Sequence, residues 1–267
     1  MEKQKLKPGR LGISIFFLVI VVSAVLFVRS QYVVPILMYH YVPLNANYDD
    51  RLSIQKDVFE RQMKFLKENR YTVIPLEELA DLIRMRKKIP FKTVAITFDD
   101  GAQDNYLNAF PVLKKYGFPA TIFLVYNEVD RPGNDRLSWK NIKEMQDSGL
   151  ITFGSHTFSH KVLTDIASEK ELRYEIQDSK KAFEQKLGRE VSLFSYPNGR
   201  FNLHIRDIVQ SSGYKAAVAV KTGRNHSSRD VYLIKRLRVS PSSGNMIVFR
   251  FNVSGYYSFF KDFKIKK

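Results

Sequence analysis

Short apolar runs alternate with amphipathic segments along most of the chain. The runs at 94–98 and 120–125 have the length and composition of buried strands. A segment such as 57–69 instead carries apolar residues at helical spacing, and glycine follows several such segments, as Gly117 and Gly188 do. Strand and helix alternate at least five times in this way. The pattern predicts βαβ units stacked around a parallel sheet, either open or closed into a barrel.

The predicted elements run from residue 33 to residue 239. The strands are 33–38, 71–74, 94–98, 120–125, 151–153, 191–196, 216–220 and 233–239. The helices are 57–69, 76–85, 105–116, 139–148, 168–187 and 203–211, and Asp57 is the expected cap of the first. We find no internal repeat and no low-complexity segment in this order.

The N-terminus carries an export or anchoring signal. Residues 11–28 are 18 residues without a charge, and the residues before them are mainly basic. We therefore predict a cytoplasmic basic tail at 1–10, a transmembrane signal-anchor at 11–29 and an extracytoplasmic domain at 30–267. A cleaved signal peptide is the main alternative, although 28–30 is a poor cleavage site. A buried core helix is the other.

Composition narrows the choice of chemistry. The chain has no cysteine, so His, Asp and Glu are the good metal ligands that it offers. Its formal net charge of +16 favours an anionic partner such as nucleic acid, lipid or an acidic polymer. The export signal and the lack of any recognisable nucleic-acid-binding motif argue against nucleic acid. The basic, aromatic segment 259–267 is either a membrane contact or a solvated tail.

Three polar clusters lie at or after the ends of predicted strands. Asp99 and Asp100 come after strand 94–98, and His156 and His160 come after strand 151–153. The third cluster, 194–199, begins at the end of strand 191–196. Since active sites of parallel barrels lie at the carboxyl ends of the strands, we expect these clusters to meet.

Two histidines and one carboxylate form a facial metal site that leaves room for water and substrate. The second carboxylate is then free to act as a general base on water. The alternative is a capped turn with two unrelated surface histidines, because Asp-Asp-Gly is also a good turn sequence.

The strings TFDDG, SHTFSH and FSYPNG, in this order, resemble the polysaccharide deacetylases of the NodB homology type, carbohydrate esterase family 4. The resemblance covers about residues 33–240. It implies a distorted (β/α) barrel of about seven strands. It also implies metal-dependent removal of acetyl groups from N-acetylated sugars, with zinc as the usual divalent ion and cobalt or nickel as substitutes.

The resemblance assigns roles to individual residues. It makes Asp99 the catalytic base and Asp100, His156 and His160 the metal ligands. Ser159 is expected to brace the second histidine. Asp104, in contrast, is expected to cap the next helix.

The third motif departs from the Arg-x-Pro-Tyr string of many members of the family. Ser195 takes the arginine position and Asn198 the tyrosine position. The backbone N–H of Asn198 can still donate to an oxyanion, with Tyr196 and Pro197 beside the substrate. Arg236 resembles an arginine that members with this shorter motif carry on a late strand, where it steadies the base. A solvent-facing strand arginine is the alternative.

The family's late Leu-x-His motif is absent, because no histidine follows His226. Instead, the string VPILMYH ends in His40, ahead of the carboxylate pair. This motif order resembles deacetylases of poly-N-acetylglucosamine and related exopolysaccharides, which makes His40 the general acid. A core or capping histidine is the alternative. His204 and His226 are expected at the surface.

We therefore predict a membrane-anchored N-deacetylase of N-acetylglucosamine-containing polysaccharide. Exopolysaccharide is favoured over peptidoglycan or chitin oligomers, and exopolysaccharide synthesis machinery is a candidate partner. The alternatives are a non-catalytic glycan-binding relative and an O-acetyl esterase on the same fold.

Overall fold

The computed structural model describes residues 10–45, 51–132, 135–220 and 230–257, with side chains from residue 15 onward. Three expectations lie outside the described residues: most of the basic tail at 1–10, the surface position of His226, and the segment 259–267.

The described strands form one sheet in which every paired strand is parallel. They are β1 Ile36–Tyr39, β2 Thr72–Val73, β3 Thr93–Phe98, β4 Ala120–Leu124, β5 Ile151–Ser155, β6 Leu193–Ser195, β7 Ala216–Ala219, β8 Ile234–Lys235 and β9 Leu237–Arg238. Their order is β8-β7-β6-β5-β4-β3-β1-β9, and β2 pairs with β3 outside this path. All residues of β1, β3, β4, β6 and β7 are buried, as strands covered on both faces must be.

Most of the α-helices connect successive strands, while the first precedes the sheet in the chain and the last follows it. The helices are α1 Arg10–Ser30, α2 Lys56–Glu68, α3 Leu76–Arg84, α4 Phe110–Tyr116, α5 Trp139–Asp147, α6 Glu169–Arg173, α7 Ser179–Leu187, α8 Leu203–Ser211 and α9 Met246–Val253. A π-helical turn at Asn105–Ala109 leads into α4, and a second at Tyr174–Asp178 joins α6 to α7. The amphipathic pattern explains the packing, since α2, for example, buries Phe59, Met63 and Leu66.

One short segment closes the barrel. Strands β8 and β9 are the two ends of the sheet order, yet only Arg236 separates them in the chain. The Arg236 N–H donates to the Ala219 carbonyl at 3.0 Å, and the Val239 N–H donates to the Met38 carbonyl at 3.0 Å. The segment therefore changes its pairing from β7 to β1 at Arg236. This near-closed parallel barrel confirms the predicted (β/α) barrel.

Some predicted elements differ from the observed ones. The single strand expected at 233–239 is two short strands, because the chain changes sheet partner at the closure. The helix expected at 168–187 contains a π-helical turn, and α9 was not predicted. Asp57 is not the cap of α2, since the helix begins one residue earlier and the Asp57 side chain pairs with Arg61.

Helix α1 coincides with the segment predicted to be an anchor. Within the part of the chain that the structure describes, no helix is both long and apolar enough to cross a membrane. The transmembrane signal-anchor at 11–29 stays a prediction from the sequence.

Gly154 in β5 is closely packed against both neighbouring strands. A Cβ atom there would lie 2.6 Å from Cδ1 of Phe123 and 2.9 Å from the backbone oxygen of Leu193. We predict that Gly154→Ala lowers the free energy of unfolding by roughly 1–3 kcal/mol through overpacking, measured by urea denaturation. Gly244→Ala is the control, because the nearest atom would be at 3.7 Å. Equal losses in the two variants would contradict this account.

Candidate active site

The register of the barrel brings the predicted site residues together. Tyr39 pairs with Phe98, and the Asp99 N–H donates to the Tyr39 carbonyl at 3.0 Å, so His40 and Asp99 continue neighbouring strands. Ser155, the last residue of β5, pairs with Phe194 of β6. His156 follows Ser155 and therefore lies at the same end of the barrel as His40 and Asp99.

Asp100, His156 and His160 form a compact cluster. Oδ1 of Asp100 lies 3.7 Å from Nε2 of His156 and 3.5 Å from Nε2 of His160. The potential ligand atoms of all three residues lie within 4.8 Å of one another. This is the donor set predicted for the metal, and the structure brings all three members together.

The protonation of the histidines suits a metal. Nδ1 of His156 is 2.7 Å from the Ser195 carbonyl oxygen, which can only accept a hydrogen bond. The proton of neutral His156 is therefore on Nδ1, and the lone pair of Nε2 faces Asp100. Burial, followed by the neighbouring His156, lowers the pKa of His160 and favours its neutral form. The three residues thus fit a divalent cation that takes nitrogen and oxygen ligands.

A left-handed turn separates the two adjacent carboxylates. Asp100 has φ of 69° and Gly101 has φ of 65°, a region that Asp tolerates and Gly prefers. A Cβ at position 101 would lie 2.6 Å from Cδ2 of Leu124, so the turn also requires a residue without a side chain. The Asp99 side chain is 3% exposed and the Asp100 side chain 14% exposed. The turn sends one carboxylate into the barrel and the other toward the histidines.

Arg236 holds the buried carboxylate. Its Nη1 and Nη2 each donate to one oxygen of Asp99 at 2.6 Å. Nη2 also donates to the Ser195 hydroxyl at 2.9 Å, and the guanidinium lies 5.4 Å from the ring centre of Phe123. Burial would raise the pKa of Asp99, but the charge and hydrogen bonds of Arg236, with His156, hold that pKa well below its usual range. The contact predicted between Arg236 and the base is present.

The altered third motif has a structural explanation. Ser195 stands where many relatives carry arginine, and its hydroxyl accepts from the arginine that arrives at the barrel closure. A small side chain at position 195 leaves room for Arg236.

Side chains in the first π-helical turn and just before it form hydrogen bonds to the loop that contains His40. Nδ2 of Asn105 donates to the His40 carbonyl, Nδ2 of Asn108 donates to the Val42 carbonyl, and Oδ2 of Asp104 accepts from the Val42 N–H, each at 2.8 Å. Asp104 therefore does not cap the helix as predicted. The two asparagines were missed from the sequence, although their spacing of three places them on one side of a helical turn.

Burial and the two neighbouring carboxylates act on the pKa of His40 in opposite directions. Burial lowers the pKa of His40, while Asp99 and Asp100 raise it in part. Its Nδ1 is buried and has no hydrogen-bond partner among the described residues.

Other predicted residues take different positions. The Ser159 hydroxyl donates to Glu175 and not to His160, so the predicted brace is wrong. The Tyr196 side chain is fully buried, and Pro197 is also buried, which does not favour substrate contact by either side chain. Asn198 is exposed with φ of 55°, and its oxyanion role stays a prediction. His204 is exposed as expected, paired with Glu169 at 2.6 Å.

Comparison with known proteins identifies relatives of the chain. The family model described as polysaccharide deacetylase matches residues 86–217. YxkH of Bacillus subtilis strain 168, provisionally named a polysaccharide deacetylase, is 36% identical over 207 residues, which are 78% of this chain and 71% of YxkH. The chain belongs to the polysaccharide deacetylase family. Membership confirms the predicted resemblance and the hydrolase class of carbohydrate esterase family 4.

Two further relatives are named as deacetylases. Poly-beta-1,6-N-acetyl-D-glucosamine N-deacetylase of Staphylococcus aureus strain MSSA476 is 27% identical over 210 residues, 75% of this chain and 72% of that protein. The structure of Streptococcus pyogenes deacetylase PplD in complex with acetate superposes with a TM-score of 0.72 at 28% identity. It covers 82% of this chain and 98% of PplD.

We predict that Asp99 and Arg236 are strongly coupled energetically. In the metal-free protein, Asp99→Asn or Arg236→Met should each cost roughly 3–5 kcal/mol of unfolding free energy, because a buried charge loses its partner. The double variant should cost less than the sum of the two single variants by about 1–3 kcal/mol. Denaturant titrations measure all four proteins. Strict additivity would contradict the pairing.

The buried carboxyl group of Asp104 should make the stability of the protein depend on pH. Burial raises the pKa of Asp104 from its ordinary value of 3.8 to about 6. The folded state therefore binds this proton more tightly than the unfolded chain, and the wild type loses stability as pH rises from about 4 to 6. Asp104→Asn keeps an acceptor for Val42 but cannot ionise, so its stability relative to the wild type should rise between about pH 4 and about pH 6 and level off above about pH 7. A pH-independent difference between the two proteins would contradict this.

Proposed function

We propose that the chain is a metal-dependent hydrolase that removes N-acetyl groups from N-acetylglucosamine-containing polysaccharide at the cell envelope. One observation carries the proposal. A buried carboxylate, Asp99, is held ionised by Arg236 directly beside the cluster of Asp100, His156 and His160. A non-catalytic relative would have no need to keep a charged base buried next to such a cluster.

Asp100, His156 and His160 would hold one divalent ion. Zinc suits a site with two imidazoles and one carboxylate, and cobalt or nickel accept similar ligands. When bound, the ion would supply a Lewis acid that favours attack by water on the acetamide and offsets the negative charge that develops on its oxygen.

Asp99 and His40 divide the proton transfers. Asp99 accepts the proton that the attacking water loses, since Arg236 keeps it in the carboxylate form; the same pairing makes it a weaker base. His40 delivers a proton to the amide nitrogen as the carbon–nitrogen bond breaks and acetate leaves. The two residues follow adjacent strands, so they approach the substrate from the same end of the barrel.

The third motif would complete the oxyanion site. The backbone N–H of Asn198 is the proposed donor to the carbonyl oxygen, in a turn that the left-handed Asn198 and Gly199 shape. Tyr196 and Pro197 are buried, and their packing would fix the backbone of this turn.

Exopolysaccharide is the proposed substrate class. The support is the position of His40 ahead of the carboxylate pair and the similarity to a relative named for poly-beta-1,6-N-acetyl-D-glucosamine. An enzyme that modifies such a polymer as it emerges would work beside the synthesis machinery, which is therefore the proposed partner.

The proposed location is the outer face of the cytoplasmic membrane, with residues 11–29 as the anchor. The uncharged run at 11–28, the basic residues before it and the exposed apolar side chains between Ile15 and Val28 support this. Cell fractionation of the full chain should recover it with membranes, and recovery wholly in the cytosolic fraction would contradict the location.

Acetate release by the purified chain tests the function. Poly-beta-1,6-N-acetylglucosamine should release more acetate than peptidoglycan or chitin oligomers, and a chelator should abolish release until zinc is restored. Release unaffected by chelator would contradict the metal, and no release from any N-acetylated polymer would contradict the activity. Faster release from O-acetylated substrates would instead indicate an esterase.

Two neighbouring substitutions separate the roles of the carboxylates. Asp100→Asn should weaken zinc binding by more than the roughly 10- to 100-fold that loss of an outer partner costs. Asp99→Asn should keep zinc bound and lower kcat by roughly 10²- to 10⁴-fold. Equilibrium zinc titration and acetate release measure both effects. If Asp99→Asn lost the metal and Asp100→Asn kept it, the roles would be exchanged.

A further inference from the structure

A buried acid that no proposed catalytic step uses lies beside the metal cluster. Glu175 is 1% exposed and belongs to the π-helical turn Tyr174–Asp178. It forms no salt bridge with any described residue. Its oxygens accept from the N–H groups of Phe158 and Ser159, both at 3.0 Å, and from the Ser159 hydroxyl. A buried carboxylate is thus satisfied entirely by one short loop.

That loop connects two of the proposed metal ligands, His156 and His160. It holds two residues in left-handed conformations, Thr157 with φ of 72° and His160 with φ of 60°. This conformation is unfavourable for a β-branched residue such as threonine, so surrounding contacts must maintain it. The three hydrogen bonds to Glu175 lie in the middle of the loop, between the two left-handed residues.

A second set of hydrogen bonds ties the same helical turn to the start of the loop. The Ser179 hydroxyl donates to the Glu175 carbonyl at 2.7 Å and lies 3.1 Å from the Ser155 hydroxyl. The Ser155 hydroxyl accepts from the Thr157 N–H at 3.2 Å. The π-helical turn is therefore linked to the loop through both the side chain and the backbone carbonyl of Glu175. Such turns often occur at functional sites.

We propose that Glu175 is a positioning residue for the metal site. It holds the loop in the conformation that directs both imidazoles toward Asp100, and it does so without contacting the metal or the substrate. The inference rests on the proposed function, because it assumes that the cluster binds a metal ion.

The test compares variants of the full chain by zinc affinity, measured by competition with a chromophoric chelator. Glu175→Leu leaves two buried N–H groups without an acceptor and should weaken zinc binding about 10- to 100-fold. Glu175→Gln can accept from both N–H groups through its amide oxygen and donate to Ser159, so it should restore most of the affinity. If Glu175→Leu does not fold, Glu175→Asp, whose side chain is too short for all three contacts, takes its place.

Glu184→Leu is the matched control. Glu184 lies on the following helix and accepts from the Val191 N–H at 3.0 Å, away from the cluster, so its loss should lower stability and leave zinc affinity unchanged. Cobalt spectra add a readout of ligand geometry, and the bands should change in Glu175→Leu but not in Glu184→Leu. Equal zinc affinity of wild type and Glu175→Leu would overturn this inference alone. A wild type that binds no zinc would overturn the proposed function and this inference with it.

Discussion

The buried pair of Arg236 and Asp99 connects the closure of the barrel to its chemistry. Arg236 is the residue at which the last strand segment changes partner, from β7 to β1. Its guanidinium holds both oxygens of Asp99 at 2.6 Å. A buried ion pair must be well hydrogen-bonded to be tolerated, and this one is. The ionised, inward-facing carboxylate after β3 therefore stabilises the closure of the barrel in this register.

This arrangement makes two adjacent aspartates chemically different. Both oxygens of Asp99 are engaged by Arg236, although Oδ2 of Asp99 also lies 3.9 Å from Nε2 of His156. Asp100, in the left-handed turn, is the carboxylate that lies close to both His156 and His160. The resulting division, one carboxylate for the metal and one for the proton, follows from backbone geometry and one cation.

Sequence reasoning found the parts of the site that lie at strand ends and missed those that support them. Asp99, Asp100, His156 and His160 stand out because charged residues rarely follow buried strands in such clusters. Asn105 and Glu175 do not, because a π-helical turn has no distinct hydrophobic period and a polar residue within it reads as solvent-facing. The division of the last strand at Arg236 was also missed, since apolar runs do not record which neighbour a strand pairs with. Tyr196 appeared in a motif, but alternation along the strand turns its ring into the core.

A crystal structure of the zinc-loaded chain, with anomalous scattering measured at the zinc edge, would show which of the two aspartates binds the metal. We expect one zinc ion bound by an oxygen of Asp100 and by Nε2 of His156 and His160, with both oxygens of Asp99 still on Arg236. A zinc ion bound by Asp99, with Arg236 released from that carboxylate, would contradict this expectation.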